Sequence, residues 1–330
     1  MRTFAPGKLV LTGAYAVLEG APAVVVAVDR GAYADSSRAC SAPTPEVAAA
    51  LEAGASAPDI DASAMFAAAA RAPGQGHAWS AEAGATAAPR KLGLGASAAI
   101  LVASIAAHEA DRGSDLTDPS VRERLFSVAR AAHAKAQGGG SGVDVAASVH
   151  GGALRYVVGQ PPEPVDLPPE LRVAAFACAT SARTSELRGA IDRLAAASGP
   201  LHRACMADLA SIAEEAASAI RSADAAAFVA ALRRTARALA RLGDAAEVGI
   251  VPAGFDALEA IAAREEASFS VSGAGGGDVA VYVGRSAPSS TFIERARALG
   301  LFSLDLSLDT KGVRIAPAVP AFAESPRRAS

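Results

Sequence analysis

The sequence predicts an α+β fold, because strand-like and helical segments occur in both halves of the chain. β-branched runs bounded by turn-forming residues indicate strands. Alanine-rich amphipathic segments indicate the helices between them. The length of 330 residues allows two domains or one large one, and 51% hydrophobic residues are enough for a core.

The first half of the chain begins with strands and continues mainly with helices. The predicted elements are strands within 3–39, an alanine-rich helical stretch over 42–75, a weak strand over 77–83, and helices at 98–110, 118–137 and 143–149. The helix at 118–137 ends at three consecutive glycines, which are a strong stop signal.

A proline-rich segment separates the two halves. Residues 160–170 hold five prolines in eleven positions, which is typical of a domain linker or a long surface connection. The elements predicted after it are strands at 171–177, 268–271 and 301–308, a strand or helix at 279–283, and helices at 185–197, 201–222, 224–242, 254–266 and 291–299. The tail 317–330, rich in proline, alanine and arginine, is predicted to be disordered.

The composition argues against several classes of function. A net charge of −3 and a pI of about 6.0 provide no basic excess for binding nucleic acid or an anionic membrane. Three scattered cysteines, Cys40, Cys178 and Cys205, form no C-x-x-C motif, so neither a disulfide framework nor a cysteine zinc site is expected. The sequence contains no recognisable signal peptide or membrane-spanning run, and we expect a cytoplasmic protein.

The segment Lys91–Ser97, which reads KLGLGAS, opens a predicted helix. Its glycines allow the backbone to approach a ligand closely, and free N–H groups at the start of the helix favour a bound anion. Lys91 adds positive charge, and the Ser97 hydroxyl is suited to a Mg²⁺ ion that phosphates also hold. Because the segment is neither a Walker A loop nor a complete G-x-G-x-x-G motif, a simple glycine turn before a buried helix is the alternative.

Asp144 lies among small and apolar residues in the segment 137–147, which reads QGGGSGVDVAA. A carboxylate in such surroundings needs a charged partner or hydrogen-bond donors. Lys8 would serve as that partner, or else Asp144 caps the helix that follows. The residues alone leave both interpretations open.

The order of these motifs resembles that of the GHMP kinases, a superfamily of small-molecule kinases that includes galactokinase, homoserine kinase and mevalonate kinase. The motifs are Pro-Gly-Lys at 6–8, Gly-Leu-Gly-Ala-Ser at 93–97, Ser-Gly-Val-Asp at 141–144 and Gly-Ala-Gly-Gly-Gly-Asp at 273–278. Together they extend the resemblance from residue 5 to about residue 315. Their common order makes the resemblance much more specific than any one motif.

The resemblance implies a two-lobed fold with the active site in the cleft between the lobes. The N-terminal lobe, residues 1–170, is expected to have ribosomal-protein-S5-like topology and to bind ATP. The C-terminal lobe, residues 171–316, is expected to be ferredoxin-like with added helices. The proline-rich segment could then be a connection within the first lobe or near its end.

The resemblance also implies ATP and Mg²⁺ as cofactors and a small-molecule phosphoryl acceptor as partner, with a homodimer left open. Lys8 and Asp144 are implied to be catalytic and to face each other at the acceptor. The residues implied to hold ATP are Lys91, Gly93, Leu94, Gly95, Ala96 and Ser97, with Ser97 reaching the metal. The expected acceptor-binding residues are Tyr15, Ser141, Gly142, Arg183, Thr184, Gly273, Gly275, Gly276, Gly277 and Asp278.

Within the superfamily, finer features resemble the phosphomevalonate kinases. These features are Gly-Ala-Tyr at 13–15, the run 132–152 and the Ser/Thr-rich segment 180–187. They imply transfer of the γ-phosphoryl group of ATP to (R)-5-phosphomevalonate, giving 5-diphosphomevalonate for isoprenoid biosynthesis. Two positions depart from the pattern: Ala96 replaces one of two usual serines, and His133 aligns with a glutamate that helps to hold Mg²⁺ in mevalonate kinases.

Two alternatives remain at this point. One is a GHMP kinase that phosphorylates a hydroxyl, either of mevalonate or of a sugar, and therefore needs Asp144 as a base. A phosphate acceptor is already largely ionised and instead needs positive charge, which makes Lys8 the more important residue. The other alternative is a catalytically silent relative that binds a metabolite, which the presence of Lys8, Ser97 and Asp144 disfavours.

Overall fold

The computed structural model describes residues 1–39, 44–55, 58–67, 90–178 and 184–317. Within them the strands are β1 (Arg2–Thr12), β2 (Ala23–Ala39), β3 (Pro58–Asp61), β4 (Phe66–Ala67), β5 (Arg90–Lys91), β6 (Ala153–Tyr156), β7 (Glu163–Val165), β8 (Arg172–Ala177), β9 (Ser268–Val271), β10 (Val279–Gly284), β11 (Phe302–Leu304) and β12 (Arg314–Ile315). The helices are α1 (Pro45–Glu52), α2 (Ala96–Asp111), α3 (Pro119–Gln137), α4 (Val143–His150), α5 (Thr184–Ala197), α6 (Gly199–Arg221), α7 (Ala225–Ala245), α8 (Phe255–Arg264) and α9 (Ser290–Ala298). The predicted α+β class is confirmed.

The first lobe is built on an antiparallel sheet. Its strand order is β12-β1-β2-β6-β7, with β3 also paired to β2. Helices α2 and α4 pack against β1 and β2. Nearly every residue of β1 is buried, as is most of the first two turns of α2, because both elements are largely apolar and lie inside the lobe. This packing places the start of α2 directly beside β1.

The second lobe carries a separate antiparallel sheet with the strand order β11-β8-β10-β9. Phe176, Phe269 and Phe292 form a buried aromatic cluster at its centre. The helices α6 and α7 pack against each other, and α7 and α8 cover β9. The loop between β9 and β10 carries the glycine run at 273–277, so this sheet presents that run at one end.

The helical prediction over 42–75 is wrong for much of the described part of that stretch. Only α1 is α-helical there, and residues 58–61 form β3, in which Ile60 pairs with Ala34. Alanine favours helix locally, but the long strand β2 offers an edge whose backbone groups bind this segment instead. The predicted strand at 301–308 is shortened to β11. The strand predicted at 77–83 lies outside the described residues.

The proline-rich segment and the end of the chain both join the first sheet. β7, within residues 160–170, pairs with β6, so this segment is an edge of the first lobe. β12 pairs with β1, and Leu308 forms a bridge to Val28, which returns the chain to its starting lobe. The lobe boundaries 1–170 and 171–316 stay predictions. Of the predicted tail, residues 318–330 lie outside the described part.

Within the described residues, none of the helices combines the length and apolar character that crossing a membrane requires.

Candidate active site

Lys8 reaches the centre of the molecule from β1. Its backbone N–H donates to the Leu94 carbonyl at 2.9 Å, which ties β1 to the glycine turn before α2. The side chain is 6% exposed, and its Nζ donates to the Gly93 carbonyl oxygen at 3.1 Å. Among the described residues no ion pair neutralises this ammonium within 4 Å. A buried positive charge is thus held against a neutral oxygen.

The turn before α2, residues 92–97, has the geometry of an anion site. Gly93 and Gly95 have φ angles of 74° and 78°, in the left-handed region that favours glycine. Gly95 is the N-cap of α2 and has no side chain to satisfy the first N–H groups of the helix. These N–H groups and the helix dipole favour a bound anion.

Asp144 lies in the first turn of α4, whose N-cap is Gly142. It is therefore inside the helix, and the capping interpretation of Asp144 is wrong. A Cβ atom on Gly95 would lie 3.1 Å from Lys8 Cγ and 3.6 Å from Asp144 Oδ2, so the two side chains flank this glycine. They share a cavity, but the described Lys8 hydrogen bond goes to Gly93 and not to Asp144.

Ser97 forms hydrogen bonds with two residues, Glu46 and Gln137, that the sequence did not predict at the site. Its hydroxyl donates to Glu46 Oε1 at 2.7 Å and accepts from Gln137 Nε2 at 3.0 Å. Glu46 comes from the first turn of α1 and is 8% exposed. Burial would raise the pKa of Glu46, but hydrogen bonds from Ser97 and Thr44 hold it below its ordinary value. The carboxylate is therefore charged beside the turn before α2.

The local sequence around Glu46 indicates the start of a helix. Thr44, Pro45 and Glu46 form a typical helix start, with Thr44 as N-cap and proline in the first turn. Nothing local shows that Glu46 meets Ser97, because the two are 51 residues apart.

The loop between β9 and β10 lies against Lys8 and the turn before α2. A Cβ atom on Gly273 would lie 3.8 Å from Lys8 Nζ, and one on Gly93 would lie 2.5 Å from Asp278 Cβ. The Tyr15 hydroxyl donates to the Ala274 carbonyl at 2.6 Å, and burial raises the pKa of that phenol. The second lobe thus contacts the turn before α2 directly, through the predicted glycine run.

These elements surround a cavity of about 390 Å³, a volume typical of small-molecule sites. The predicted site residues that line it are Lys8, Tyr15, Lys91, Gly93, Gly95, Ala96, Ser97, Ser141, Gly142, Asp144, Thr184, Gly273, Gly275 and Asp278. Leu94, Gly276 and Gly277 are not among its lining residues. Leu94 is fully buried, and the Gly276 N–H donates to the Ile250 carbonyl behind the loop. Arg183 lies outside the described residues.

Two further residues face the cavity. His133, on α3, is partly buried at the cavity. Burial lowers the pKa of its imidazole, while the nearby carboxylates Asp144 and Glu46 act in the opposite direction. Arg188 enters from α5, four residues after Thr184 and on the same helix face. That helical spacing is the sequence signal by which Arg188 could have been found.

Comparisons with known proteins agree with this architecture. A mevalonate kinase of Aeropyrum pernix is 33% identical over 247 residues, which are 68% of this chain and 71% of that protein. The Lin0012 protein of Listeria innocua matches in structure with a TM-score of 0.75 at 20% identity, covering 96% of this chain and 99% of the other. The Streptococcus pneumoniae phosphomevalonate kinase, solved with phosphomevalonate and AMPPNP, matches with a TM-score of 0.70 at 16% identity, covering 93% and 99%. No family model matches the chain.

The two-lobed fold with its glycine-rich turns around one cavity, together with this sequence relative, defines a small-molecule kinase. The chain belongs to the GHMP kinases. It is a phosphotransferase that uses ATP, as this superfamily does.

Proposed function

We propose that this kinase transfers the γ-phosphoryl group of ATP to (R)-5-phosphomevalonate. The observation that carries the proposal is the environment of the Lys8 ammonium. Its ammonium is buried, and its described hydrogen bond goes to the neutral Gly93 carbonyl. Burial of an unpaired charge is costly, so this position is suited to an anionic ligand. A phosphate acceptor brings such a charge to the point where the phosphoryl group is transferred.

Asp144 supports the same acceptor. A hydroxyl acceptor loses a proton during transfer and gains roughly 10²–10⁴-fold in rate from a general base. The phosphate of a monoester has a second pKa of about 6, so at neutral pH its attacking oxygen is already largely deprotonated. Asp144 then orients Lys8 and the acceptor across Gly95 rather than removing a proton.

ATP is expected at the turn before α2. The N–H groups that Gly95 leaves unsatisfied would hold the phosphates, and Lys91 would add charge at the rim. The side chains of Ser97 and Glu46 fit a Mg²⁺ ion, because they bring a hydroxyl and a charged carboxylate together beside this turn. When bound, the ion would neutralise charge on the phosphates.

The transfer balances without a further reactant. An oxygen of the acceptor phosphate forms a bond to the γ-phosphorus of ATP, while the bond from that phosphorus to the bridging oxygen breaks. ADP leaves with the bonding electrons, and the acceptor becomes a diphosphate. Charge on the moving group is stabilised by Lys8 and by the start of α2, and such positioned charges carry most of the catalysis in phosphoryl transfer.

The test is ADP release from Mg·ATP with (R)-5-phosphomevalonate, (R)-mevalonate and galactose in parallel. We expect turnover with the phosphorylated acceptor alone. Lys8→Met should lower kcat/KM by roughly 10²–10³-fold, and Asp144→Asn should cost less. Lys135→Met is the matched control, because Lys135 is exposed and paired with Glu52. Turnover of mevalonate, or an Asp144→Asn loss equal to that of Lys8→Met, would overturn the proposal.

Phosphorylation of mevalonate is the second candidate. The 33% identity to the mevalonate kinase of Aeropyrum pernix favours it. In that case Asp144 acts as the base on the acceptor hydroxyl, and Asp144→Asn should abolish turnover.

A further inference from the structure

Ser148 is a fully buried serine on α4 that has no direct part in the proposed transfer. It lies four residues after Asp144, so the two side chains share one face of the helix. Buried helical serines often bind the carbonyl one turn earlier in their own helix, as Ser104 binds Ile100 in α2. The Ser148 hydroxyl instead donates to the Pro6 carbonyl of β1 at 2.7 Å, and it thereby ties α4 to a strand.

The Pro6 carbonyl lies where the pairing of β1 is irregular. The register of β1 against β2 shifts between Pro6 and Gly7, as it does at a β-bulge. A bulge disrupts the ladder locally and changes the direction in which nearby side chains point. Lys8 is the next residue along the strand. Ser148 therefore binds the backbone at the point that sets the direction of the Lys8 side chain.

The backbone around Lys8 is held from two sides. On one side, the Lys8 N–H donates to the Leu94 carbonyl in the turn before α2. A Cβ atom on Gly7 would lie 2.7 Å from the same carbonyl oxygen, so the strand is tightly packed there. On the other side, the Ser148 hydroxyl supplies the constraint from α4, the helix that carries Asp144.

We infer that Ser148 is a positioning residue that sets the spacing between Lys8 and Asp144. From Ser148 back to Asp144 the helix advances about 6 Å. From Pro6 to Lys8 an extended strand advances a similar distance, about 7 Å. One hydrogen bond at Pro6 therefore brings the two charged side chains to a common level, where both flank Gly95. The importance of this spacing rests on the proposed function, which gives both charged residues a part in the transfer.

Ser104 separates this role from the general value of a buried hydroxyl. Like Ser148 it is fully buried in a helix of the first lobe, but its described hydrogen bond stays within its own helix. Removing either hydroxyl deprives a carbonyl of a donor. Removing that of Ser148 also releases a contact between the strand that carries Lys8 and the helix that carries Asp144.

The experiment compares Ser148→Ala with Ser104→Ala and Ser148→Cys. kcat and KM are measured for the acceptor and for ATP, and urea unfolding establishes that each variant is folded. Because a small misplacement of reacting groups is costly, Ser148→Ala should lower kcat roughly ten- to hundredfold. KM for ATP should change little, and Ser104→Ala should keep kcat close to that of the wild type. Ser148→Cys should recover part of the loss, because a thiol is a weak donor.

A double-mutant cycle separates positioning from general damage. If Ser148 acts through the spacing of Lys8 and Asp144, Ser148→Ala should cost much less in a Lys8→Met background, where the pair no longer exists. A full loss in that background, equal losses in Ser148→Ala and Ser104→Ala, or a loss confined to KM for ATP would overturn the inference. If Ser148→Ala does not fold, Ser148→Cys takes its place in the same cycle.

The choice of acceptor distinguishes this inference from the proposed function. If mevalonate is turned over and phosphomevalonate is not, the proposed function fails. Ser148→Ala should still lower kcat, because Asp144 then acts as a base beside Lys8 and its position still matters. If phosphomevalonate is turned over but Ser148→Ala behaves like Ser104→Ala, the inference fails and the proposed function stands.

Discussion

The two glycine turns that open α2 and α4 look alike in sequence but differ in how the fold holds them. Both end in a left-handed glycine N-cap, Gly95 at φ 78° and Gly142 at φ 84°, and neither N-cap has a side chain to bind the helix start. Both place a polar side chain at one cavity, Ser97 after the first turn and Asp144 after the second.

The first turn is braced, in the sense that residues from several other elements contact it. Lys8 binds the carbonyls of Leu94 and Gly93, Glu46 accepts a hydrogen bond from Ser97, and Asp278 packs on Gly93. The second turn is open at its start, because side-chain atoms on glycines 138 and 140 would meet nothing within 4 Å. Under the proposed function, the first turn holds the phosphates and needs fixed donors. The open second turn would then leave space for the acceptor.

Gly93→Ala should have the largest effect, because it breaks the braced turn. A Cβ atom there would lie 2.5 Å from Asp278 Cβ, and the φ of 74° is unfavourable for alanine. Strain and overpacking should together lower the free energy of unfolding by roughly 2–4 kcal/mol. Displacement of the turn should cut kcat/KM at least about 100-fold. Urea unfolding and steady-state kinetics measure the two losses.

Gly140→Ala is the matched change in the open turn. Gly140 also has a positive φ, 143°, but an added methyl group meets nothing within 4 Å. We expect only the backbone strain of roughly 1–3 kcal/mol and a much smaller loss of activity. Equal losses of activity in the two variants would contradict the distinction between a braced and an open turn.

Glu46→Gln should have an intermediate effect, because it removes the charge behind Ser97 and leaves an amide oxygen to accept the Ser97 hydrogen bond. If Ser97 and Glu46 hold Mg²⁺, the apparent affinity for the metal should fall about tenfold. Calorimetric titration of AMPPNP with and without Mg²⁺ measures this affinity directly. Glu52→Gln, at the exposed end of the same helix, is the control. Identical metal affinities in the two variants would show that Glu46 does not bind the ion.

His150→Phe should have the smallest effect near neutral pH and should become important only in acid. His150 ends α4, and burial, assisted by Arg122, lowers its pKa from 6.5 to about 4. Between pH 6.5 and about 4, the His150 imidazole is therefore protonated in the unfolded chain and neutral in the folded chain. As the pH falls from about 6.5 to about 4, protonation of His150 in the unfolded chain lowers the free energy of unfolding by about 3 kcal/mol.

Phenylalanine cannot take up a proton and retains an aromatic side chain beside Phe126. The free energy of unfolding of the variant, measured in urea between pH 7.5 and 4, should therefore fall less steeply than that of the wild type. His133 shifts in the same direction and should account for part of the slope that remains. Parallel slopes in the two proteins would rule out His150 as the source.

Much of the geometry of the candidate site was predictable, because its glycine motifs act through their own backbone. Gly93 and Gly95 open a helix with unsatisfied N–H groups wherever that helix lies in the fold, and the same holds for Gly142 before Asp144. Glu46 and Arg188 escaped prediction for the opposite reason. A glutamate in the first turn of a short helix and an arginine on a surface-facing helix are ordinary residues until packing brings them to the cavity.

The same distinction explains the errors in the fold. Helices with strong periodicity and clear ends, such as α3 between Asp118 and Gly138, were predicted closely. The stretch 42–75 was read as helical from its alanines, whereas residues 58–61 bind the edge of β2. The prediction that failed depended on a partner strand 19 to 28 residues away in the chain.

By itself, the sequence determined the α+β class, the order of the glycine motifs and the glycine turns that open α2 and α4. These features depend on neighbours in the chain, through backbone conformation and helix starts. The tertiary structure alone decided that Glu46 meets Ser97, that Lys8 bonds to a carbonyl instead of Asp144, and that Arg188 faces Gly139. Such pairings join distant residues, and whether a charge is buried, paired or open to a ligand depends on how the two lobes pack.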